Sequence, residues 1–114
     1  MEDTQLMKGI LEGCILAVIS RGETYGYEIL SELMDYGFTN LQEGTLYPIL
    51  TRLEKKKYIS CRKAKSPLGP VRKYFTITQE GREWLVVFKE SYQNIAKVED
   101  EILIGEDKWD FLFE

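Results

Sequence analysis

Histidine is absent from the 114 residues, and cysteine is limited to two. The first absence removes at once the commonest general base and the commonest metal ligand available near neutral pH. Cys14 and Cys61 stand far apart with no Cys-x-x-Cys spacing, which excludes a structural zinc site and gives no disulfide framework. No apolar run approaches the roughly 20 residues that a membrane span needs. The opening Met1-Glu2-Asp3 is acidic, so the basic segment of a secretory signal is missing. The acids are dispersed and form no catalytic constellation. A cytoplasmic protein that is not an enzyme, touches no membrane and needs neither metal nor cofactor is the expectation.

What is present is enough for a fold. Hydrophobic residues make up 44% of the chain and aromatics 12%, a composition that goes with folding rather than disorder. The length fits one domain, or one domain with a single added helix, burying about 65% of the unfolded surface. Charge is unevenly placed. The whole chain carries −4, yet the acids Glu2, Asp3, Glu12, Glu23, Glu28, Glu32 and Asp35 outweigh Lys8 and Arg21 up to residue 42. From 43 to 82 the balance reverses: ten bases face only Glu43, Glu54 and Glu80. Beyond 82 the chain is acidic again. A basic middle inside an acidic chain is what a local phosphate-binding surface requires, although a solvated basic face has the same composition.

Periodicity supplies the elements. Leu6, Ile10, Leu11, Cys14, Ile15, Ala17 and Val18 recur at three- and four-residue steps, predicting a first helix to Ile19 with a wide apolar face. Thr24 is the expected N-cap of a second helix lined by Ile29, Leu30, Leu33 and Met34 and closed by Gly37. A third helix is expected over Thr45–Lys57, capped by Thr45, with Leu46, Ile49, Leu50 and Leu53 on one face. Its opposite face carries Gly44, Pro48, Thr51, Arg52 and Lys55, with Tyr47 on the flank; it is small, polar and basic. Strands are expected at Tyr58–Ala64 and Val71–Ile77 around a Pro/Gly-rich hairpin tip, Lys65 to Pro70. Thr78-Gln79-Glu80-Gly81 opens a long helix over Gln79–Leu103, which Gly105 should end.

Three helices, a basic hairpin and a further helix follow the order of a winged helix-turn-helix, an α+β, mainly helical fold with a long C-terminal dimerisation helix. The division expected is a DNA-binding domain over 1–78, a dimerisation helix over 79–105 and an acidic aromatic tail over 106–114. In that geometry the third helix enters a major groove and the hairpin, or wing, lies along the backbone. The bases fall accordingly, with Arg52, Lys55, Lys56 and Lys57 on or beyond the third helix and Arg62, Lys63, Lys65, Arg72 and Lys73 in the wing. A winged-helix adaptor that contacts protein, without sequence-specific DNA binding, is the alternative.

Glu43-Gly44-Thr45-Leu46-Tyr47-Pro48-Ile49-Leu50, continuing to Arg52-Leu53-Glu54, resembles the recognition-helix signature of the PadR-like transcriptional regulators. Tyr25-Gly26-Tyr27-Glu28-Ile29 resembles their second-helix start, and Arg72-Lys73-Tyr74-Phe75-x-Ile77-Thr78-x-x-Gly81 their second wing strand. With one C-terminal helix the chain is similar to the short-form branch. The resemblance implies a bacterial homodimeric repressor of a stress, detoxification or efflux gene, bound to a palindromic operator on double-stranded DNA and released by a small aromatic effector. Carried over, Tyr25, Thr45, Tyr47 and Arg52 would face DNA, and Lys65 and Lys73 would hold phosphates. The tip Leu68-Gly69-Pro70-Val71 departs from the glycine and basic cluster of many relatives, which leaves wing contacts to Lys63, Lys65, Arg72 and Lys73.

Several side chains admit two readings. Tyr47 and Tyr74 can bond phosphate, or pack the third helix against the wing with the hydroxyl at the rim. Cys14 is expected in the core; Cys61, near Arg62 and Lys63, is a strand residue or a redox-sensitive thiol. On the last helix Leu85, Phe88, Tyr92, Ile95 and Ile102 form an apolar stripe broadened by Trp84, Val87 and Val98. So long a stripe predicts a second copy as its cover. Trp84, Phe88 and Tyr92 at four-residue spacing either fill that interface or wall a cavity between subunits that stacks a planar ligand.

Overall fold

A computed structural model describes residues 9–104 of the chain. The elements are α1 (Leu11–Ile19), β1 (Thr24–Tyr25), α2 (Gly26–Tyr36), α3 (Glu43–Lys55), β2 (Ile59–Lys65), β3 (Val71–Ile77) and α4 (Gln79–Leu103). The expected Leu6 start of the first helix, the Gly105 stop and the 106–114 tail lie outside the described residues. The three strands form one antiparallel sheet in the order β1-β3-β2. β3 is central, pairing Thr24 with Phe75 on one side and Cys61 with Phe75 on the other.

The core follows from the helical spacing. Ile15, Leu16 and Ile19 of α1, Ile29 and Leu33 of α2, and Leu46, Leu50 and Leu53 of α3 are almost wholly buried against one another. Ile59, Phe75 and Ile77 close this core from the sheet. Cys14, expected inside, sits half-buried at the rim of the core, where burial pushes its thiol pKa up. Cys61 packs on the same core from β2.

Two expected caps are not caps. Thr24 belongs to β1, and Tyr25 is the residue before α2, with no side-chain bond to the helix end. The buried Thr24 hydroxyl instead donates to Glu28 Oε1 at 2.8 Å. α3 begins at Glu43, two residues before the expected start, so Thr45 lies inside its first turn and Gln42 precedes the helix. The Gln42 carbonyl takes both the Thr45 and the Leu46 N–H, a backbone closure that needs no side-chain cap. Pro48 therefore sits in the second turn and lacks the N–H that the Gly44 carbonyl would otherwise accept. The helix stops where Lys57 takes a positive φ of 64°, with its N–H on the Glu54 carbonyl and the Tyr58 N–H on that of Leu53. This displaces Tyr58 from the expected strand, and β2 starts at Ile59.

The junction into α4 is tight. Thr78 Oγ1 accepts from the Gly81 N–H at 3.0 Å and donates to the Lys57 carbonyl at 2.7 Å. A Cβ on Gly81 would collide with the Tyr58 carbonyl, so only glycine admits this approach. One threonine thus caps α4 and ties it to the end of α3. The helix then runs about 37 Å at 1.5 Å per residue. It packs on α1 through Leu85 and Phe88 and leaves Ile95 and Val98 exposed further along. Among the described residues no helix is long and apolar enough to cross a membrane.

Candidate nucleic-acid interface

α3 buries Leu46, Ile49, Leu50 and Leu53, which places Gly44, Pro48, Thr51 and Lys55 along the centre of its outward face. Tyr47 lies on one flank and Thr45 and Arg52 on the other. Thr51 turns its hydroxyl back to the Tyr47 carbonyl at 3.0 Å. At the C-terminal end, Glu12 of α1 reaches Lys56 Nζ at 3.3 Å and Arg52 Nη2 at 3.8 Å. The carboxylate is mostly covered whereas both cations stay about half exposed, so it offsets one of their two charges without hiding them.

The outer face of the sheet carries a chain of cations and rings. Arg62 of β2 donates Nε and Nη2 to Glu23 at 2.6 and 2.7 Å, a bidentate pair. These bonds hold the Glu23 carboxyl below the usual carboxylate range. The Arg62 guanidinium lies 4.7 Å from the Tyr74 ring centre, Tyr74 meets Tyr25 edge-on at 5.8 Å, and Arg72 lies 3.9 Å from the Tyr25 ring centre. Strand alternation and the β1-β3-β2 order bring these side chains to one face.

Between this wing and the helices lies a groove of about 310 Å³ lined by Tyr25, Gly26, Tyr47, Pro70, Arg72 and Lys73, among others. Tyr47 Oη would be 2.7 Å from a Cβ on Gly26, so the absent side chain lets Tyr47 seat against the start of α2. The structure thus brings together Tyr25, Tyr47, Arg72 and Lys73 of the expected set. Thr45, Thr51, Arg52 and Lys55 share the adjoining α3 surface, and Lys63 and Lys65 are exposed on β2. Among the described residues Lys55, Lys63, Lys65, Arg72 and Lys73 make no ion pair, unlike Arg52, Lys56 and Arg62. Sequence reasoning missed Glu12 and Glu23 as partners, because their contacts cross 39 or more positions that no local pattern links.

A second feature runs down α4. Trp84, Phe88 and Tyr92 stack in sequence, with centroids 5.3 and 6.5 Å apart and planes within 19°. Tyr58 extends the stack at its α3 end, 5.5 Å from Trp84. Phe88 covers Gly13 of its own α1. A groove of about 370 Å³ opens beside it, lined by Gly13, Cys14, Ala17, Leu85, Phe88 and Tyr92, among others. Ile95 stands beyond this groove, 61% exposed.

Three helices around one core, a three-stranded sheet whose hairpin flanks the third helix, and a long C-terminal helix define a winged helix-turn-helix protein. Residues 15–86 match the transcriptional regulator PadR-like family, and the chain belongs to it. That is a family of regulators rather than of enzymes. A PadR-like transcriptional regulator from Bacillus cereus is 45% identical, with a TM-score of 0.77 over 87% of this chain and 96% of its own. A transcriptional regulator from Streptococcus is 42% identical, also at a TM-score of 0.77, over 87% of this chain and 97% of its own. Bacillus subtilis PadR, solved in complex with operator DNA, is 26% identical with a TM-score of 0.64, over 69% of this chain and 46% of its own.

Proposed function

We propose that this regulator is a cytoplasmic homodimeric repressor that binds a palindromic operator through α3 and the wing. The observation that carries the reading is the outward face of α3, which is small at its centre and adjoins unpaired bases on the wing. An adaptor that contacts protein would present large apolar side chains along that centre, where Gly44, Pro48, Thr51 and Lys55 stand instead. The solved complex of Bacillus subtilis PadR with operator DNA supports DNA as the partner. In this reading Tyr25, Thr45, Tyr47, Thr51 and Arg52 approach the major groove, while Lys55, Lys63, Lys65, Arg72 and Lys73 meet phosphates. Residues 1–78 are the DNA-binding unit and 79–105 the dimerisation helix; the role of 106–114 concerns residues outside those described.

Dimerisation follows from α4. Val87, Ile95 and Val98 are all more than half exposed and share one side of the helix, an apolar stripe that a second copy covers. The groove lined by Ala17, Leu85, Phe88 and Tyr92 suits a planar aromatic effector, because its walls are largely apolar and include two aromatic rings. Thr78 ties α4 to the end of α3, so a changed crossing of the two long helices alters the spacing of the recognition helices. An effector that favours the altered spacing lowers operator affinity, and tenfold release needs about 1.4 kcal/mol of coupling. The regulated gene is of the stress, detoxification or efflux kind. A mobility shift on the promoter of its own operon tests the reading: a retarded dimer complex that planar drugs release is expected. Equal retention of scrambled duplex would refute it.

A further inference from the structure

We infer that α3 reads the 5-methyl groups of thymine in the major groove, through Pro48 and Thr51. This deepens the operator-binding reading and rests on it. The centre of the outward face, opposite Leu46, Leu50 and Leu53, is occupied in order by Gly44, Pro48, Thr51 and Lys55. All four are exposed. The first three offer a base no side-chain hydrogen-bond donor. Gly44 has no side chain, and apart from its chain neighbours and the adjoining helix backbone nothing lies within 4 Å of where its Cβ would be, so a duplex can approach the backbone there. Pro48 has neither a polar side chain nor an N–H.

Thr51 is decisive. Its Oγ1 donates to the Tyr47 carbonyl at 3.0 Å, which spends the hydroxyl proton and selects one rotamer. What an exposed threonine offers once its hydroxyl is turned back to the helix is its methyl group. A pyrrolidine ring and a held methyl, one turn apart, make a small apolar patch flanked by Tyr47 and Arg52. In the major groove only one base carries an apolar group, the C5-methyl of thymine. The bases of the protein stand around this patch, with Lys55 at the end of the row and Arg52 beside it. They position the helix on phosphates or at a flanking base edge, while the centre selects by shape.

The test uses duplexes selected from a random-sequence pool by the full chain, followed by replacement of each thymine with deoxyuridine. Deoxyuridine keeps every hydrogen-bonding group and removes only the methyl. Selected half-sites should share a thymine at which this change weakens binding about fourfold, the factor corresponding to one apolar carbon returned to water. Thr51→Val keeps the methyl and should keep the penalty. Thr51→Ser or Pro48→Ala, each removing part of the patch, should lose it at its own position. If deoxyuridine is tolerated everywhere while selected duplexes still outcompete scrambled ones, methyl readout is wrong and operator binding stands. A penalty equal in wild type, Thr51→Ser and Pro48→Ala would move the readout to another residue. Recovery of no sequence preference at all would overturn the inference together with the reading beneath it.

Discussion

The ring of Phe88 occupies the space that a side chain on Gly13 would need, which is why α1 and α4 cross as closely as they do. Gly13→Val should therefore destabilise the fold by about 2 kcal/mol through overpacking, seen as a lower urea midpoint at unchanged slope. Phe88→Ala removes the obstruction, so the double variant should be more stable than the sum of the single losses implies. Strict additivity would mean that the two residues do not share this contact.

The same relationship separates two functions of α4. Phe88 packs on Gly13 of α1, whereas Ile95 and Val98 are exposed beyond the α1 crossing. Ile95→Asp should leave the core intact and abolish the dimer, because a carboxylate buried between two apolar helices lacks compensation. Phe88→Asp should lower both stability and dimerisation. Sedimentation velocity and thermal melts of the two variants distinguish these outcomes, and a dimeric Ile95→Asp protein would place the interface elsewhere.

Much of this arrangement was legible from residue order. The strand Val71–Ile77 and the helix Gln79–Leu103 have the bounds expected from residue order, because the signals that mark them are local. The two-residue strand β1 was not visible: Thr24-Tyr25 has no alternation to detect, and only pairing with β3 makes it a strand. Thr24 and Thr45 looked like caps by residue type, yet Thr24 pairs in β1 ahead of Tyr25, and the Gln42 carbonyl takes the first N–H groups of α3 without Thr45 as a cap. Tyr58 joins the aromatic stack only because the chain reverses at Lys57. Likewise the link from Arg62 through Tyr74 and Tyr25 to Arg72 depends on cross-strand register, and the Glu12 pairs on tertiary packing. Basic residues were readable; which of them already have a partner was not.

The pair of Glu23 with Arg62 predicts a pH dependence. Hydrogen bonds from Arg62 lower the Glu23 pKa on folding, relative to about 4.3 for an unfolded glutamate. A lowered folded-state pKa contributes stability that is present above the unfolded value and is lost as pH falls through the folded one. Glu23→Gln should therefore lower stability slightly at pH 7, since the pair is exposed and screened, and the difference from wild type should vanish as pH falls below about 4.3 and Glu23 protonates. Urea midpoints measured from pH 3 to pH 7 would show it. Parallel curves for the two proteins would count against a native pair.

Glu12 sets how much of the basic surface a duplex meets. It draws Arg52 and Lys56 toward α1, at 3.8 and 3.3 Å. Glu12→Gln should raise affinity for all duplexes and steepen the dependence on salt, because both cations then become available to phosphates. Lys73→Ala should do the opposite and flatten the salt slope by about one unit. Arg52→Ala should instead cost about 1–3 kcal/mol on the operator and relax preference at one base pair. Competition binding at several salt concentrations separates the three.

The most direct test is a titration of the full chain into a duplex containing its selected palindrome, read by fluorescence anisotropy and by mass. Two protomers should bind per duplex, with half-sites about one helical turn apart, roughly 34–36 Å. Affinity should fall steeply with added salt, and a scrambled duplex should bind far more weakly. One protomer per site, affinity that ignores salt, or equal affinity for the scrambled duplex would contradict a dimeric repressor built on α3 and the wing.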